Sequence, residues 1–412
     1  MATQCNPLTF NLSTAGLLTP IMALRISWRS IEIIQTILFV GANLGAYYSG
    51  TLAIDIFCLG IVQGVAFSLR YNMNVVINND YFVKYRATAM GVSLAGSTCG
   101  VFILKPLISH VLDNSAHNFR QAYLALAIVM SLNILLNFFI RKPNSSIRPG
   151  SPDSQTTQES FVSTESGESA VVDSQGSRTL SFVELLKTPS IHCIWIMQTI
   201  YFYISRTYTI FIVDYGIDSG FVRADSRSLL NFWVYGEMGG RLLLGGYIDS
   251  RLLSLRWNIV IVNVILALSG FALLSVPTVF NQNSTLLDNI TNGTAQSAPA
   301  TTSNLYYWSF GLSVALIAAL SSLVNILIVP FGQEYLGKRN VPWAFAIGSI
   351  VTSVFLLFRP SLIGVSRDYY HSYDLLIVVM STGPLVYALL FAICEPCLKR
   401  YQIRSSYTDN YG

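Results

Sequence analysis

The amino-acid sequence predicts an all-α, polytopic membrane protein, and three observations support that prediction. Of its 412 residues, 52% are hydrophobic and 11% are charged, whereas soluble domains carry about 25% charged residues. Apolar runs of about 20 residues, the length that an α-helix needs to cross a bilayer, recur along the chain. A long polar stretch separates the earlier runs from the later ones. Nothing in the modest net charge of +4 indicates a nucleic-acid-binding protein.

Eleven segments are apolar and long enough to be candidate spans, and the first is the shortest and most polar. They lie near 9–24, 31–50, 52–77, 87–109, 121–140, 190–213, 228–248, 257–279, 305–330, 343–365 and 374–395. Residues 142–188 are rich in Ser, Thr, Gln, Gly and Glu and have too few large apolar residues to bury a core. We therefore predict an N-terminal bundle of five spans (1–141), a disordered linker (142–188), a C-terminal bundle of six spans (189–395) and a tail (396–412).

The basic residues predict the orientation in the membrane. Sixteen of the 25 Lys and Arg residues fall in one set of alternate loops and four in the other, and loops rich in Lys and Arg are cytosolic. This places the linker and the C-terminus in the cytosol. The predicted loop 280–304 falls on the opposite side, has no Lys or Arg, and contains glycosylation sequons at Asn283, Asn289 and Asn292. Since N-glycosylation occurs on the luminal or extracellular side, we expect a glycoprotein.

One segment carries a motif that is specific for a family. Residues 81–107 read YFVKYRATAMGVSLAGSTCGVFILKPL, with pattern positions Tyr81, Phe82, Lys84, Arg86, Gly91, Gly96 and Gly100. This segment resembles the signature entering the fifth helix of the monocarboxylate transporter family, within the major facilitator superfamily. GGYIDSR (245–251) and RPSLIGVSRDYYHSYD (359–374) resemble later segments of the same family. The resemblance implies a major facilitator-type two-bundle fold in which 9–24 is the second family helix and the first is absent.

Two charges lie in the apolar, glycine-rich stretch NFWVYGEMGGRLLLGG (231–246). Glu237 and Arg241 are four residues apart and so share one helix face. Charges inside a bilayer are functional by default, although a structural pair locking the helix is the alternative. The resemblance implies that Arg241 binds a substrate carboxylate, which a guanidinium can grip with two parallel hydrogen bonds. It assigns proton coupling to Glu237, because a substrate bound to Arg241 would weaken its hold on that carboxylate and favour protonation.

Four other basic residues fall inside predicted spans. We predict that Arg70 faces the cavity and binds substrate with Arg241, and that Lys105 reaches the outer interface. Arg206 has no assigned role, and Arg359 serves either the cavity or helix packing. Because five basic residues share the spans with a single central acid, an anionic substrate is favoured. The sequence contains no nucleotide-binding motif, metal-ligand cluster or nucleophile–base set, so we expect neither enzymatic catalysis nor a cofactor.

These observations predict a secondary carrier that works by alternating access. We expect proton-coupled symport of small monocarboxylates, such as lactate or pyruvate, across the plasma membrane. The alternatives are a facilitative carrier of another organic solute, such as an aromatic amino acid or an iodothyronine, and a truncated family member that does not transport. The expected partners are a small organic anion, a proton and the lipid bilayer. The resemblance adds a single-span ancillary glycoprotein, which some family members need, and no nucleic acid is expected.

Overall fold

The computed structural model describes residues 18–82, 85–114, 119–140, 182–290 and 300–411, and the regular elements in these ranges are all helices. We number the twelve helices in chain order. They are α1 (Leu18–Arg25), α2 (Trp28–Tyr48), α3 (Leu52–Tyr81), α4 (Arg86–Asn114), α5 (Phe119–Asn137), α6 (Phe182–Lys187), α7 (Pro189–Asp218), α8 (Arg223–Asp249), α9 (Leu255–Ile290), α10 (Ala300–Leu336), α11 (Val341–Tyr369) and α12 (Asp374–Tyr411).

The predicted fold class is confirmed, because most of the described helices have the length and apolarity of membrane spans. Eight meet both criteria, namely α2, α3, α4, α5, α9, α10, α11 and α12. Helices α7 and α8 have 30 and 27 residues, enough to cross a bilayer at 1.5 Å per residue, but they carry more polar and charged side chains. Of the predicted span 9–24, the structure describes residues from Leu18 onward, within α1.

The helices pack into two groups, which we call the first bundle (α1–α5) and the second bundle (α6–α12). In the first bundle, α2 packs against α3 and α5. In the second bundle, α10 packs against α7, α8 and α9, while α9 also packs against α12. The bundles meet mainly where α4 contacts α8, with further contacts of α1 and α3 to α11. The α4–α8 contact is therefore the main connection between the two bundles.

Two predicted loops are shorter than expected. Helix α6 lies inside the predicted disordered linker and buries Leu185, so disorder is the wrong prediction for 182–187. Residues 142–181 lie outside the described ranges. Helix α9 continues to Ile290 through the predicted loop 280–304, because residues 278–290 contain neither Gly nor Pro to end it. Asn283 and Asn289 are therefore on a helix, whereas Asn292 is not among the described residues. The predicted tail is also helical up to Tyr411.

Candidate functional site

Glu237 and Arg241, the pair that the sequence singles out, form a buried ion pair on α8. The Arg241 Nη2 atom lies 2.5 Å from Glu237 Oε1, and the two side chains are 4% and 14% exposed. The hydroxyl of Tyr201, on α7, accepts a hydrogen bond from the same Nη2 at 3.0 Å and donates one to Glu237 at 3.4 Å. The pair is thus part of a three-membered polar network. Its third member, Tyr201, is on another helix, so its place in the network does not follow from sequence spacing.

The other edge of the Arg241 guanidinium reaches across to the first bundle. Its Nη1 atom donates to the Leu94 carbonyl oxygen at 2.8 Å, to Ser97 Oγ at 3.0 Å and to Thr98 Oγ1, all on α4. The Arg241 Nε atom has no hydrogen-bond partner among the described residues. Because one cation bonds to both bundles, the bundles cannot separate at this level unless Arg241 exchanges its partners.

Glycine in the signature segment explains how α4 and α8 approach so closely. A Cβ atom added to Gly91 would lie 2.2 Å from the Arg241 carbonyl oxygen, a distance that no side chain tolerates. On the other face of α8, a Cβ at Gly236 would lie 2.0 Å from the Ala315 carbonyl oxygen of α10. In contrast, Gly96 and Gly100 have open space where a Cβ would project. Of these three signature glycines, Gly91 alone is therefore needed for the contact between bundles.

A second buried polar contact joins the bundles near this network. The Tyr71 hydroxyl of α3 donates to Asn325 Oδ1 of α10 at 2.8 Å, and both side chains are buried. The Nδ2 group of Asn325 has no partner among the described residues. The Tyr71 ring packs against Phe202 and Phe345, with centroid separations of 5.2 and 5.3 Å. The surroundings of the site are therefore strongly aromatic.

The bundles are also fastened at one end of their helices, which we call the basic end because Arg86, Arg251 and Lys338 lie there. Asp249, at the last position of α8, accepts hydrogen bonds from the backbone N–H groups of Ala87 and Thr88 at 3.1 and 2.7 Å. It therefore caps the first turn of α4, where a carboxylate is favoured by the free N–H groups and by the helix dipole. Asp249 belongs to the GGYIDSR segment, so a motif of the second bundle closes onto the signature segment of the first.

Gln333 of α10 adds to the closure of the basic end. Arg86 donates a hydrogen bond to the side-chain oxygen of Gln333, and the side-chain nitrogen of Gln333 donates one to Asn79 of α3. Among the other signature residues, Tyr81 and Phe82 are exposed beside these contacts, and Lys84 lies outside the described residues.

The predicted second substrate-binding residue, Arg70, lies elsewhere in the first bundle. It is exposed and lines a small cleft between α2, α3 and α5, together with Gln35, Thr36, Phe39, Ala66, Met130 and Asn133. The contacts of Arg241 do not include it. The structure therefore brings Glu237 and Arg241 together but does not add Arg70 to the pair.

The remaining intramembrane cations have three different environments. Lys105 donates to Asn231 Oδ1 at 2.9 Å, so it links α4 to α8 as well as being exposed. Arg359 is 3% exposed within α11. Arg206 of α7 is exposed, and its guanidinium carbon lies 5.7 Å from the centre of the Phe67 ring on α3. Arg206 thus faces the opposite bundle. The sequence around Arg206 does not indicate this orientation.

Comparisons with solved structures agree with the helical architecture. The Escherichia coli fucose:proton symporter is 12% identical, with a TM-score of 0.62 over 93% of this chain and 89% of that chain. The human organic anion transporter MFSD10 is 10% identical, with a TM-score of 0.55 over 93% and 82%. At such identities the likeness establishes the fold alone.

Sequence comparisons identify the family. Monocarboxylate transporter 12 of Xenopus laevis is 34% identical over 55 residues, 13% of this chain and 12% of that protein. Monocarboxylate transporter 9 of Gallus gallus is 27% identical over 129 residues, 31% of this chain and 25% of that protein. These matches confirm the resemblance seen in the signature segment, although they span a quarter or less of the relatives. The family model of the Major Facilitator Superfamily matches residues 9–301, more than half of the chain. The chain therefore belongs to the Major Facilitator Superfamily and is a multi-pass membrane protein.

Proposed function

We propose that this transporter carries small monocarboxylates together with a proton across the plasma membrane. The observation that supports this proposal is the Arg241–Glu237–Tyr201 network, which lies where the two bundles touch. It combines a permanent cation suited to a carboxylate with a titratable acid on the same helix face. The partial similarity to proteins named monocarboxylate transporters favours this substrate class.

The geometry suggests how proton and anion would be coupled. While Glu237 is ionised, it holds Arg241 Nη2, and a substrate carboxylate would have to compete for that donor. Protonation of Glu237 removes its charge, so the guanidinium becomes the uncompensated partner that an incoming carboxylate needs. The site then takes up the substrate anion and the proton together, so that no buried charge is left unpaired.

The same contacts support a mechanism of alternating access. Arg241 bonds to Leu94, Ser97 and Thr98 of the first bundle, so a carboxylate that draws the guanidinium away would weaken the contact between bundles. The Asp249 cap on α4 must also open before a solute leaves at the basic end. Substrate binding and opening are thereby linked through α8, which carries both Arg241 and Asp249.

Uptake measurements test the coupling directly. Labelled lactate uptake by cells expressing the protein should rise as external pH is lowered. Replacing Glu237 with Gln should remove this pH dependence, and Arg241→Ala should abolish uptake, since it deletes the anion-binding cation. Arg227→Ala, an exposed arginine on the same helix, is the matched control and should transport normally at equal surface abundance. Normal, pH-dependent uptake by both site variants would contradict the mechanism.

A facilitative carrier of an aromatic solute is the second candidate, favoured by the rings around Tyr71. Phe67 stacks on Tyr71 with a centroid separation of 6.3 Å, and Phe202 and Phe345 complete the aromatic wall. Such a carrier would take up labelled aromatic amino acids or iodothyronines without dependence on pH. It would show little lactate uptake, so the same cells distinguish the two functions.

The topology proposal places the basic end in the cytosol and the sequons outside. It is supported by the excess of Lys and Arg in alternate loops and by the absence of Lys and Arg from 280–304. An endoglycosidase should increase the gel mobility of the protein, but not that of a variant with Asn283, Asn289 and Asn292 replaced by Gln. Unchanged mobility of the unmodified chain would contradict this placement. Co-purification of a single-span glycoprotein would support the ancillary partner, and surface delivery without one would contradict it.

A further inference from the structure

Arg206 and Arg241 are both arginines at membrane depth, but their guanidinium groups are used differently. Arg241 is buried and bonded to Glu237, Tyr201 and three groups of α4. Arg206 is exposed, and its guanidinium makes no hydrogen bond or ion pair within the described part of the chain. It lies 17 residues after the start of α7 and 12 before its end, or roughly 26 and 18 Å along the helix. A cation at this depth requires water or an anion.

The direction of Arg206 shows that it faces the other bundle. Its guanidinium carbon lies 5.7 Å from the centre of the Phe67 ring, which belongs to α3 of the first bundle. Phe67 in turn stacks on Tyr71, with a centroid separation of 6.3 Å. Tyr201, the residue that joins Glu237 to Arg241, lies five residues before Arg206 on the same helix α7. A long side chain that merely reached toward lipid headgroups would not have these neighbours.

The surroundings of Arg206 define the ligand that they would accept. The Arg206 guanidinium lies over the Phe67 ring without a hydrogen bond to any described residue, so its N–H edges can match the two oxygens of a carboxylate. Phe67 is half-buried and stacks on Tyr71 in a nearly parallel arrangement, with 7° between the rings. This aromatic surface would contact the apolar part of a small organic acid. The combination selects a monocarboxylate with an apolar body over an inorganic anion or a neutral solute.

We propose that Arg206 is the first carboxylate-binding residue on the transport path, occupied before the substrate reaches Arg241. The transport path in this inference rests on the proposed function, whereas the binding of an anion rests on the geometry of Arg206 alone. An anion bound at Arg206 lies on the helix that carries Tyr201, five residues beyond it and roughly 8 Å along the helix axis. From there, it can replace Glu237 as the partner of Arg241 once Glu237 takes a proton. Two arginines then act in sequence, an accessible one that collects the anion and a buried one that couples it to movement.

The test measures binding and transport separately. Thermal unfolding of the purified full-length protein is followed with lactate, phenylpyruvate and chloride at constant ionic strength, since a ligand that binds only the folded state raises the unfolding temperature. We expect phenylpyruvate and lactate to stabilise the unmodified protein more than chloride does. In Arg206→Gln, the lactate or phenylpyruvate concentration that gives the same rise in unfolding temperature should be about tenfold higher, because a charge-assisted bidentate contact is lost. Arg206→Lys should recover part of the effect, because a point charge replaces the fork.

In uptake assays, Arg206→Gln should raise the lactate KM about tenfold, while the maximal rate and the dependence on pH are retained. Arg227→Gln, an exposed arginine near the start of α8, is the matched control and should leave KM unchanged. Unchanged KM and unchanged stabilisation in Arg206→Gln would overturn the inference while leaving the proposed function intact. Stabilisation by organic anions that depends on Arg206, without any uptake by the unmodified protein, would uphold the binding site and refute the proposed transport. If no organic anion stabilises the unmodified protein more than chloride does, the binding site is refuted.

Discussion

The contact between the two bundles differs between its two halves. At the basic end, Asp249 caps α4 through two backbone N–H groups, and Arg86 and Asn79 bond to Gln333. In the other half, the links are one exposed Lys105–Asn231 hydrogen bond and the stacking of Phe102 on a largely exposed Tyr235. Arg241 lies between these regions. The difference shows that the bundles are held together on the basic side of Arg241 and are accessible on the side where Arg206 lies.

The largest effect on the contact between the bundles, and on lactate uptake, should come from adding one methyl group at the centre of that contact. In Gly91→Ala, the new Cβ would meet the Arg241 carbonyl oxygen at 2.2 Å, a backbone atom that cannot rotate away. We expect α4 and α8 to be pushed apart and lactate uptake to fall to background. Gly96→Ala is the control, because open space surrounds that position on the same helix. If both variants transport equally at equal surface abundance, the close approach is not needed.

A smaller effect is expected from weakening the basic end alone. Asp249→Ala removes the cap of α4, and loss of an N-cap costs about 0.5–2 kcal/mol, which favours separation of the bundles at that end. Spin labels at Tyr81→Cys and Lys338→Cys, in a chain without its native cysteines, would report the distance between bundles. The population at longer distance should increase. An unchanged distance distribution would mean that the cap does not hold this end closed.

The smallest effect is expected where Arg241 retains other partners. Thr98→Val removes one acceptor of Nη1 and preserves the shape of the side chain, while Leu94 and Ser97 still accept from the same atom. The maximal uptake rate should change roughly two- to fivefold, less than in Gly91→Ala. Thr382→Val is the control, since that hydroxyl donates to Val379 of its own helix α12. A complete loss in Thr98→Val would show that Thr98 dominates the contact.

The sequence predicted the site where charge spacing alone was sufficient. Glu237 and Arg241 are four residues apart on one helix, so their pairing follows from helix geometry. The orientation of Arg206 was not predictable, because large apolar and aromatic residues are spread around α7 and its sequence does not distinguish the face toward α3 from the face toward lipid. Arg70 remains a prediction as a substrate-binding residue, since its cleft lies among α2, α3 and α5.

The limits of the helices were less predictable than the positions of their apolar segments. Hydropathy marks where a segment is apolar enough for lipid, but a helix continues into water as long as its backbone hydrogen bonds are maintained. This is why α9 extends to Ile290 and α12 to Tyr411, past the predicted spans 257–279 and 374–395. The packing of α6 against α7 depends on tertiary contacts that a polar stretch of sequence does not reveal.

The contact at Gly91 has a mechanical consequence. Two backbones that touch with no side chain between them form a fulcrum, about which α8 can tilt once Arg241 releases its partners on α4. Along α8 from Arg241, the arm to Asp249 is eight residues and the arm to Asn231 is ten, or roughly 12 and 15 Å. With arms of similar length, a small tilt that lifts Asp249 off α4 presses Asn231 toward it. The helix would then behave as a balanced lever, so that opening at one face of the membrane enforces closure at the other.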